Sequence, residues 1–414
     1  SRTAPSRTVV TSFSTVSNNS AESTDAYEEG HYVLHVACGP SGPGGPSTRC
    51  PLSCALSNQC VQTYDRETLK KVHTIKQAHH KPITDMTHAQ MFSSGNTTES
   101  PLLVTSSLDG LVKIFDLRMS DSAHPAMQLK LPQNGDEALS VSIGYAGALA
   151  AIGGSKGNIH FFDLRQMSAQ STMSGVTSTP LGSYVDAHSG EVTKVRFQKT
   201  KKDSNETTSL LVSASEDGLA CIHDTSQQSE EMALKSVINV QSPLRDVGFF
   251  GPSLEGIYCL TGSETMSIWH HDSAQRICDF GDVRNHLSVT ANLPIHYLVG
   301  CDWDGRSNQL NLFAGNNEGQ CVIYQVDAAS IVPKRILNGG HKACIRGFVS
   351  SSNGSIITAG EDSRMCEWES DQTNITQEET RGKTMSQSIA SNSRPKSGGG
   401  VIRRQKKKKS HAPY

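Results

Sequence analysis

Histidine, hydroxyl and aspartate residues recur in a fixed order along this sequence, and together they could activate a nucleophile. His341 is followed by Thr358 and Asp362, and two earlier segments carry the same kinds of residue in the same order. In each case the hydroxyl residue lies four positions before the aspartate; the earlier sets are His79, Thr105 and Asp109, and His188, Ser213 and Asp217. A hydroxyl beside a histidine that an acid orients is the arrangement that hydrolases use.

The repetition of these sets argues against catalysis. Similar sets at similar spacing are expected when the groups hydrogen-bond one another inside a repeated structural unit, and no nucleophile-elbow motif accompanies them. A fully paired buried network is structural, and leaving one member unpaired costs about 1–3 kcal/mol. We therefore predict that the protein is not an enzyme and has no catalytic residue.

Cysteines and glycines in one early segment suggest two kinds of binding site, but neither pattern is complete. Cys50 and Cys54 have the spacing of half a structural zinc site, whereas Cys38 and Cys60 lie on predicted strands and supply no second pair. The glycines of residues 39–45 lack the Lys and the following helix of a phosphate-binding loop. We predict no metal and no cofactor.

The composition excludes several classes of protein. The chain has 414 residues, of which 36% are hydrophobic, and its apolar stretches are shorter than the roughly 18 residues of a membrane span. Its eleven cysteines lack the density of a secreted disulfide scaffold, so we expect reduced thiols in an intracellular protein. Residues 1–21 are rich in Ser and Thr, with Arg2 and Arg7 and no acid, which favours a disordered leader over an organelle transit peptide.

Seven copies of one pattern must position the residues described above. Each copy has a short apolar run, a turn with Gly or Asp, an alternating strand, and an aromatic residue followed by Asp or another polar residue. The copies close at positions 65, 116, 163, 224, 270, 325 and 369, at intervals of 44 to 61 residues. This spacing is near the period of about 40–45 residues of a four-stranded propeller blade, lengthened by loop insertions.

Each copy predicts a β-hairpin, because a turn of small residues is followed by alternation with a period of two. One such unit cannot bury both of its faces alone, so the units stack, and closing them into a ring removes long exposed edges. The sequence therefore predicts an all-β fold, a seven-bladed β-propeller.

The His, hydroxyl and Asp sets resemble the hydrogen-bonded tetrad of WD-repeat β-propellers. The last copy has all four members, since Trp368 follows Asp362, whereas Phe115 and His223 replace the Trp in the second and fourth copies. The resemblance implies that the Asp accepts a hydrogen bond from the buried His and that the hydroxyl extends the network to the Trp. The other four copies lack the His–Asp pair, and we expect their blades to be more deformable.

We expect three segments. The WD-repeat resemblance extends over residues 31–370, which should form the propeller. Residues 1–30 should form the disordered leader, and residues 371–414 a disordered basic tail, because ten of the 38 basic residues and none of the 40 acidic ones follow residue 380.

The resemblance implies a non-enzymatic scaffold that binds other proteins, as a monomer within a complex and without membrane contact. In the family, the loops between strands d and a and between strands b and c commonly contact partners. The candidate partner-binding residues on these loops are Lys81, Glu191, Arg245 and Lys342. Propellers with basic tails often serve in ribosome assembly, so association with pre-ribosomes is a specific case.

A second hypothesis concerns Arg118 and Arg165, which end the second and third copies within identical Phe-Asp-Leu-Arg segments. These segments resemble the boxes through which some propellers dock on the adaptor of cullin-4 ubiquitin ligases, where the Arg side chains pair with acidic groups. In this alternative the protein is a substrate receptor of such a ligase. Phe115 and Phe162 replace the usual Trp of the box, which weakens the match.

The basic tail ends in a dense cluster whose members are Arg403, Arg404, Lys406, Lys407, Lys408 and Lys409. It favours nuclear import, which predicts a location in the nucleus or nucleolus, with the cytoplasm as the alternative. A solvated tail and a nonspecific attraction to RNA phosphates are the other interpretations. No interleaved aromatic residues are present to stack on bases, so sequence-specific RNA binding is unsupported.

Overall fold

Seven mainly antiparallel sheets follow one another along the chain in the computed structural model. The residues that the structure describes are 2–11, 31–39, 51–91, 100–118, 124–165, 176–177, 179–199, 209–351 and 354–370. The basic cluster of residues 403–409 and most of the expected leader and tail therefore lie outside the described residues. Residues 1–369 group into one unit by their contacts.

The strands of the first half, in chain order, are β1 (Arg2–Thr3), β2 (Arg7–Val10), β3 (Val33–Cys38), β4 (Pro51–Leu56), β5 (Val61–Asp65), β6 (Lys71–Ile75), β7 (Ile83–Met91), β8 (Ser100–Ser107), β9 (Leu111–Asp116), β10 (Met127–Lys130), β11 (Ala138–Gly144), β12 (Leu149–Gly154), β13 (Ile159–Asp163), β14 (Val176–Thr177) and β15 (Gly182–Tyr184). Those of the second half are β16 (Val192–Phe197), β17 (Leu210–Ser215), β18 (Leu219–Asp224), β19 (Leu234–Asn239), β20 (Leu244–Phe250), β21 (Gly256–Thr261), β22 (Thr265–His270), β23 (Gln275–Asp282), β24 (Tyr297–Asp304), β25 (Gln309–Gly315), β26 (Cys321–Val326), β27 (Ile331–Leu337), β28 (Ile345–Ser350), β29 (Ile356–Gly360) and β30 (Arg364–Trp368).

Each sheet is one blade, with strands a to d in order from the inside outwards. Blades 1, 2, 4, 5 and 6 take four consecutive strands each, beginning at β3, β7, β16, β20 and β24, while blade 3 consists of β11, β12, β13 and β15. The innermost strands of successive blades contact one another all the way round, and β28 of blade 7 contacts β3 of blade 1. The chain thus forms a closed seven-bladed β-propeller, as the repeats predicted.

The N-terminal residues complete the last blade. β28, β29 and β30 lack a fourth consecutive strand, and β2 fills this place by pairing antiparallel to β30, with Arg7 opposite Glu367. β1 adds a fifth, parallel strand to the outer edge of blade 6. The expectation of a disordered leader over residues 1–30 is therefore wrong for residues 2–11, because the outer edges of β27 and β30 offer their backbone hydrogen-bonding partners.

The hairpins between strands b and c turn where the sequence places glycine. Gly110, Gly218 and Gly319 have φ angles of 75°, 84° and 83°, a left-handed conformation that only glycine adopts readily. Strands b and c are then buried along almost their whole length, as in β5 and β21, because neighbouring blades cover both of their faces. These strands therefore show little of the alternation between buried and exposed side chains that the sequence led us to expect.

The core lies between blades, and successive residues of one strand belong to different blade junctions. In β8, Leu103 packs between blades 1 and 2 with Phe115 and Ile83, whereas its neighbour Val104 packs between blades 2 and 3 with Val141. This follows from the opposite direction of successive side chains in a strand. Every blade is thus held by two neighbours.

Polar side chains of the inner strands also join the blades. Asp85 of blade 2 accepts hydrogen bonds from Ser140 Oγ of blade 3 (2.7 Å) and Lys194 Nζ of blade 4 (3.0 Å). Burial acts to raise the pKa of Asp85, but the nearby charges of Lys194 and Arg196 outweigh it and lower the pKa to about 2. One buried carboxylate therefore links three blades.

Two short α-helices occur among the described residues. α1 (Glu230–Ala233) begins at Ser229, whose side chain accepts a hydrogen bond from the backbone of Met232. α2 (Arg284–Ala291) lies in the loop between blades 5 and 6, where Leu287 O accepts a hydrogen bond from Tyr324. No helix in the described part of the chain is long and apolar enough to cross a membrane.

Candidate functional site

The predicted tetrad of blade 7 forms a continuous chain of hydrogen bonds. His341 Nδ1 donates to Asp362 Oδ1 over 3.0 Å, and His341 Nε2 and Thr358 Oγ1 are 2.8 Å apart. Trp368 Nε1 donates to the same Thr358 oxygen over 2.8 Å, and the backbone N–H of Lys342 donates to Asp362 Oδ2. Each member is therefore paired within the blade.

Blades 2 and 4 repeat this geometry without the tryptophan. In blade 2, His79 Nδ1 lies 3.0 Å from Asp109 Oδ2 and His79 Nε2 lies 2.8 Å from Thr105 Oγ1. In blade 4 the corresponding contacts of His188, with Asp217 and Ser213, are 3.2 Å and 2.8 Å. The three histidines occupy equivalent positions, four residues before strand a.

The place of the tryptophan is filled differently in these two blades. Phe115 is fully buried in blade 2 and packs in the core. His223 of blade 4 is also buried, and its Nδ1 atom has no hydrogen-bond partner among the described residues. Burial, followed by the charge of His188, lowers the pKa of His223 to about 4, so its ring is neutral at pH 7.

The electrostatics of the sets are those of buried structural groups. Burial lowers the pKa of His79 and His188 in spite of their aspartates. Burial acts in the same direction on His341, but its hydrogen bond to Asp362 and its contact with Cys366 outweigh it and raise the pKa to about 9.

The hydroxyls of the three sets, on Thr105, Ser213 and Thr358, are fully buried. They are bonded inside the sheet, at 2.8 Å from the histidine in each case, and are not presented to a substrate. The arrangement is therefore that of a structural network and not of a catalytic triad.

Blade 3 contains a His–Asp pair that the sequence interpretation missed, and the expectation that the third repeat lacks one is wrong. Asp136 lies before strand a, where the other blades carry the histidine, and His160 lies on strand c. His160 Nε2 donates to Asp136 Oδ2 over 3.2 Å, and His160 Nδ1 lies 2.8 Å from Ser183 Oγ. In the other sets the histidine comes first and the aspartate lies in the b–c turn, whereas here the aspartate comes first and the histidine lies on strand c, so a search in one fixed order fails to find them.

The loops divide between two faces of the ring because adjacent strands run in opposite directions. We call the face with the d–a and b–c loops the upper face, and the face with the a–b and c–d loops the lower face. Among the predicted partner-binding residues, Lys81, Glu191 and Lys342 lie in upper-face loops. Arg245 does not lie in a loop: it is the second residue of β20, and it donates to Leu298 O of blade 6 over 2.8 Å.

Lys81 and Glu191 belong to one charged region of the upper face. Lys81 Nζ lies 2.9 Å from Glu137 Oε1, with the Lys81 side chain 55% exposed. Partial burial, followed by the charges of Glu216 and Glu137, raises the pKa of Glu191. Lys342 lies in the exposed loop before strand a of blade 7.

Arg118 and Arg165 both follow strand c of their blades and therefore emerge on the lower face. Their side chains are 52% and 72% exposed. Each guanidinium nevertheless bonds the aspartate two residues earlier, Arg118 to Asp116 at 2.6 Å and Arg165 to Asp163 at 2.7 Å. Much of their positive charge is thus matched within the chain.

The buried cysteines of the early segment are poorly suited to bind a metal. Cys54 and Cys60 are buried, and burial raises the pKa of Cys54 to about 12, so its thiol stays protonated. Cys50 lies outside the described residues. No three potential metal ligands come together elsewhere in the described ranges.

Comparison with known proteins agrees with this geometry. The family described as WD domain, G-beta repeat, matches residues 69–116, which span the hairpin of blade 2. Blade 2 is therefore similar in sequence to WD repeats, and the fold of the chain is a seven-bladed β-propeller.

The chain is also similar to WD repeat-containing proteins of three organisms. The WD repeat-containing protein 89 homolog of Dictyostelium discoideum is 28% identical over 77% of this chain and 79% of that protein. The WD repeat-containing protein GTS1 of Arabidopsis thaliana is 27% identical over 70% of this chain and 71% of that protein. An uncharacterized WD repeat-containing protein of Saccharomyces cerevisiae is 31% identical, over 58% of this chain and 56% of that protein.

WD-repeat propellers typically act as protein-interaction scaffolds and are generally not enzymes. This general role fits the geometry, because the buried histidines and hydroxyls serve the blades while exposed charged residues occupy the loops.

Proposed function

We propose that this propeller is a non-enzymatic scaffold that binds other proteins through its upper face, in the nucleus, with pre-ribosomal particles as the specific case. One observation carries the proposal. The His, hydroxyl and Asp side chains that could perform chemistry hydrogen-bond one another inside the blades, whereas charged side chains of both signs are exposed in the upper-face loops. Lys81 and Lys342 supply positive charge there. Glu191 supplies negative charge, and it is repelled by the carboxylates of neighbouring glutamates. Rigid scaffolds commonly bind through such loops.

The upper face can be tested by reversing its positive charges. The variant Lys81→Glu with Lys342→Glu should fold, because both side chains are exposed, and should lose the partners that co-purify with wild type at moderate salt. At position 81 the new carboxylate faces Glu137 and adds repulsion. Arg118→Ala with Arg165→Ala changes the lower face only and is the matched control. Equal partner sets in all three proteins would contradict the proposal.

The nuclear location rests on the basic cluster of Arg403, Arg404 and Lys406 to Lys409. The same cluster attracts RNA phosphates without sequence specificity, and its contribution weakens steeply as salt increases. Measuring RNA affinity at several salt concentrations, with and without residues 401–414, separates this contribution from that of the ring. Binding that survives the deletion unchanged would place the RNA contact on the propeller.

A second candidate function is the substrate receptor of a cullin-4 ubiquitin ligase. The position of Arg118 and Arg165 on one face of neighbouring blades favours it. Their ion pairs with Asp116 and Asp163 weigh against it, because an adaptor carboxylate must compete with a carboxylate already in place. Stoichiometric recovery of the ligase adaptor with wild type, and its loss in Arg118→Ala with Arg165→Ala, would establish this function.

A further inference from the structure

The loop between β10 and β11 carries an Asn-Gly pair at the upper face, Asn134-Gly135. Both residues are exposed. The backbone N–H of Asp136 donates to Gln133 O over 3.2 Å, so the pair occupies the corner of a tight turn. Gly135 has a φ of 73° and nothing within 4 Å of the place where a Cβ would lie. No neighbouring atom therefore crowds Gly135 on the side where a Cβ would lie.

A lysine acts on the amide group that joins these two residues. Lys156 Nζ donates to Asn134 O over 2.6 Å, and Asn134 O belongs to the peptide group whose nitrogen is that of Gly135. A positive donor on this oxygen stabilises the negative charge that develops on the peptide group when Gly135 N loses its proton. Lys156 is held in place by its own backbone N–H, which donates to Asp136 Oδ1.

We propose that Asn134 is a site of spontaneous deamidation that Lys156 promotes. The N–H of Gly135 loses its proton to solvent, and the nitrogen forms a bond to Asn134 Cγ. The bond between Cγ and the side-chain nitrogen then breaks, and this NH2 group takes up one proton and leaves as ammonia. Water opens the resulting succinimide ring on either side, which leaves an aspartate or an isoaspartate at position 134. No oxidant, reductant or cofactor takes part.

A second described Asn-Gly pair, Asn338-Gly339, provides an internal comparison. Gly339 also has a left-handed φ, of 84°, and open space around it. Two hydrogen bonds restrain Asn338, however: its backbone N–H donates to Thr3 O, and its Oδ1 accepts from Gln320 Nε2. Among the described residues, no lysine donates to the carbonyl oxygen of Asn338. We therefore expect Asn338 to react more slowly than Asn134.

The modification changes the charge of a loop that also serves blade 3. The new carboxylate arises two residues before Asp136, which holds His160 and the turn at Lys156. It also lies in the loop that carries Glu137, the ion-pair partner of Lys81. Any effect on partner binding rests on the proposed function of the upper face, whereas the reaction itself does not.

The experiment follows deamidation of the purified full-length protein during incubation at neutral to mildly alkaline pH, by peptide mass mapping. The proteins compared are wild type, Lys156→Gln, and Lys342→Gln, which removes one exposed positive charge from the loop that contains Asn338. We expect Asn134 to react faster than Asn338 in wild type. Lys156→Gln should slow Asn134 by about two- to fivefold, the factor typical of one exposed charge interaction, and Lys342→Gln should not.

Unfolding in urea provides the remaining control, because it removes the contact of Lys156 and leaves both Asn-Gly pairs in place. The rates at Asn134 and Asn338 should then approach each other. The proposal is overturned if Asn134 reacts no faster than Asn338 in the folded protein, if Lys156→Gln leaves its rate unchanged, or if the advantage of Asn134 persists in urea. None of these results depends on whether the upper face binds a partner.

Discussion

His223 occupies the strand-c position at which blades 2 and 3 carry Phe115 and Phe162. Its buried ring packs on Tyr184, with the ring centroids 4.9 Å apart, and its Nδ1 atom has no hydrogen-bond partner among the described residues. A phenylalanine of similar shape fits the neighbouring blades, where both copies are fully buried. We therefore predict that His223→Phe folds and is more stable than wild type, and that its advantage grows as the pH falls.

The size of this effect follows from the pKa of His223, which is lowered from 6.5 to about 4 in the folded state. Above pH 6.5 the ring is neutral in both the folded and the unfolded state, and its titration contributes nothing. Between pH 6.5 and pH 4 the unfolded state binds a proton that the folded state excludes, so wild type loses stability. At 1.36 kcal/mol for each pKa unit, this loss reaches about 3 kcal/mol at pH 4, and His223→Phe avoids it.

The assay is urea unfolding of both proteins at several values between pH 7 and pH 4, followed by circular dichroism. The stability advantage of His223→Phe should increase by about 3 kcal/mol over this range, at a similar dependence on urea. The variant His270→Phe is the control, because His270 ends strand c of blade 5 but is only half-buried. A constant difference between wild type and His223→Phe across the range would show that His223 is solvated or partnered, and would refute the reasoning.

Three further predictions concern the tetrad, the tail and the lower face. Asp362→Ala should lower the free energy of unfolding by about 1–3 kcal/mol, because His341 loses its acceptor, and an unchanged urea midpoint would contradict this. Deleting residues 401–414 should move the protein from nucleus to cytoplasm without unfolding the ring; microscopy of a fluorescent fusion checks this, and an unchanged location would assign import to a partner. Arg118→Ala with Arg165→Ala should leave stability nearly unchanged, because exposed ion pairs contribute about 0–1 kcal/mol each. We expect no ligase adaptor to co-purify even with wild type, and its stoichiometric recovery would reverse this expectation.

Features with a local and repeated signature could be read from the amino-acid sequence. The seven hairpins are encoded by short alternating segments around turn residues such as Gly110 and Gly218, and the seven predicted closing positions lie within one residue of the ends of strand c. The tetrad residues His341, Thr358 and Asp362 were predictable for the same reason, since the same order recurs in blades 2 and 4. Because the pattern recurs along the chain, each copy supports the interpretation of the others, which is not possible for a motif that occurs once.

Features that depend on contacts between distant segments required the tertiary structure. β2 has four residues and no repeat pattern, and it is a strand only because the edge of β30, more than 350 residues away along the chain, has unpaired hydrogen-bonding groups. The sequence did not reveal the Asp136–His160 pair, because the aspartate comes before the histidine and the histidine lies on strand c, yet the two side chains meet at hydrogen-bond distance.

The self-pairing of Arg118 with Asp116 also depends on the folded chain, which holds the two side chains on the same side of one turn. The sequence by itself thus determined the number of blades, the positions of their hairpins and three of the His–Asp pairs. The tertiary structure decided how the ring closes, where blade 3 places its own pair, and which charged side chains pair with one another at the surface. The physical reason is that local patterns encode strands and turns, whereas closure and pairing depend on which groups meet in space.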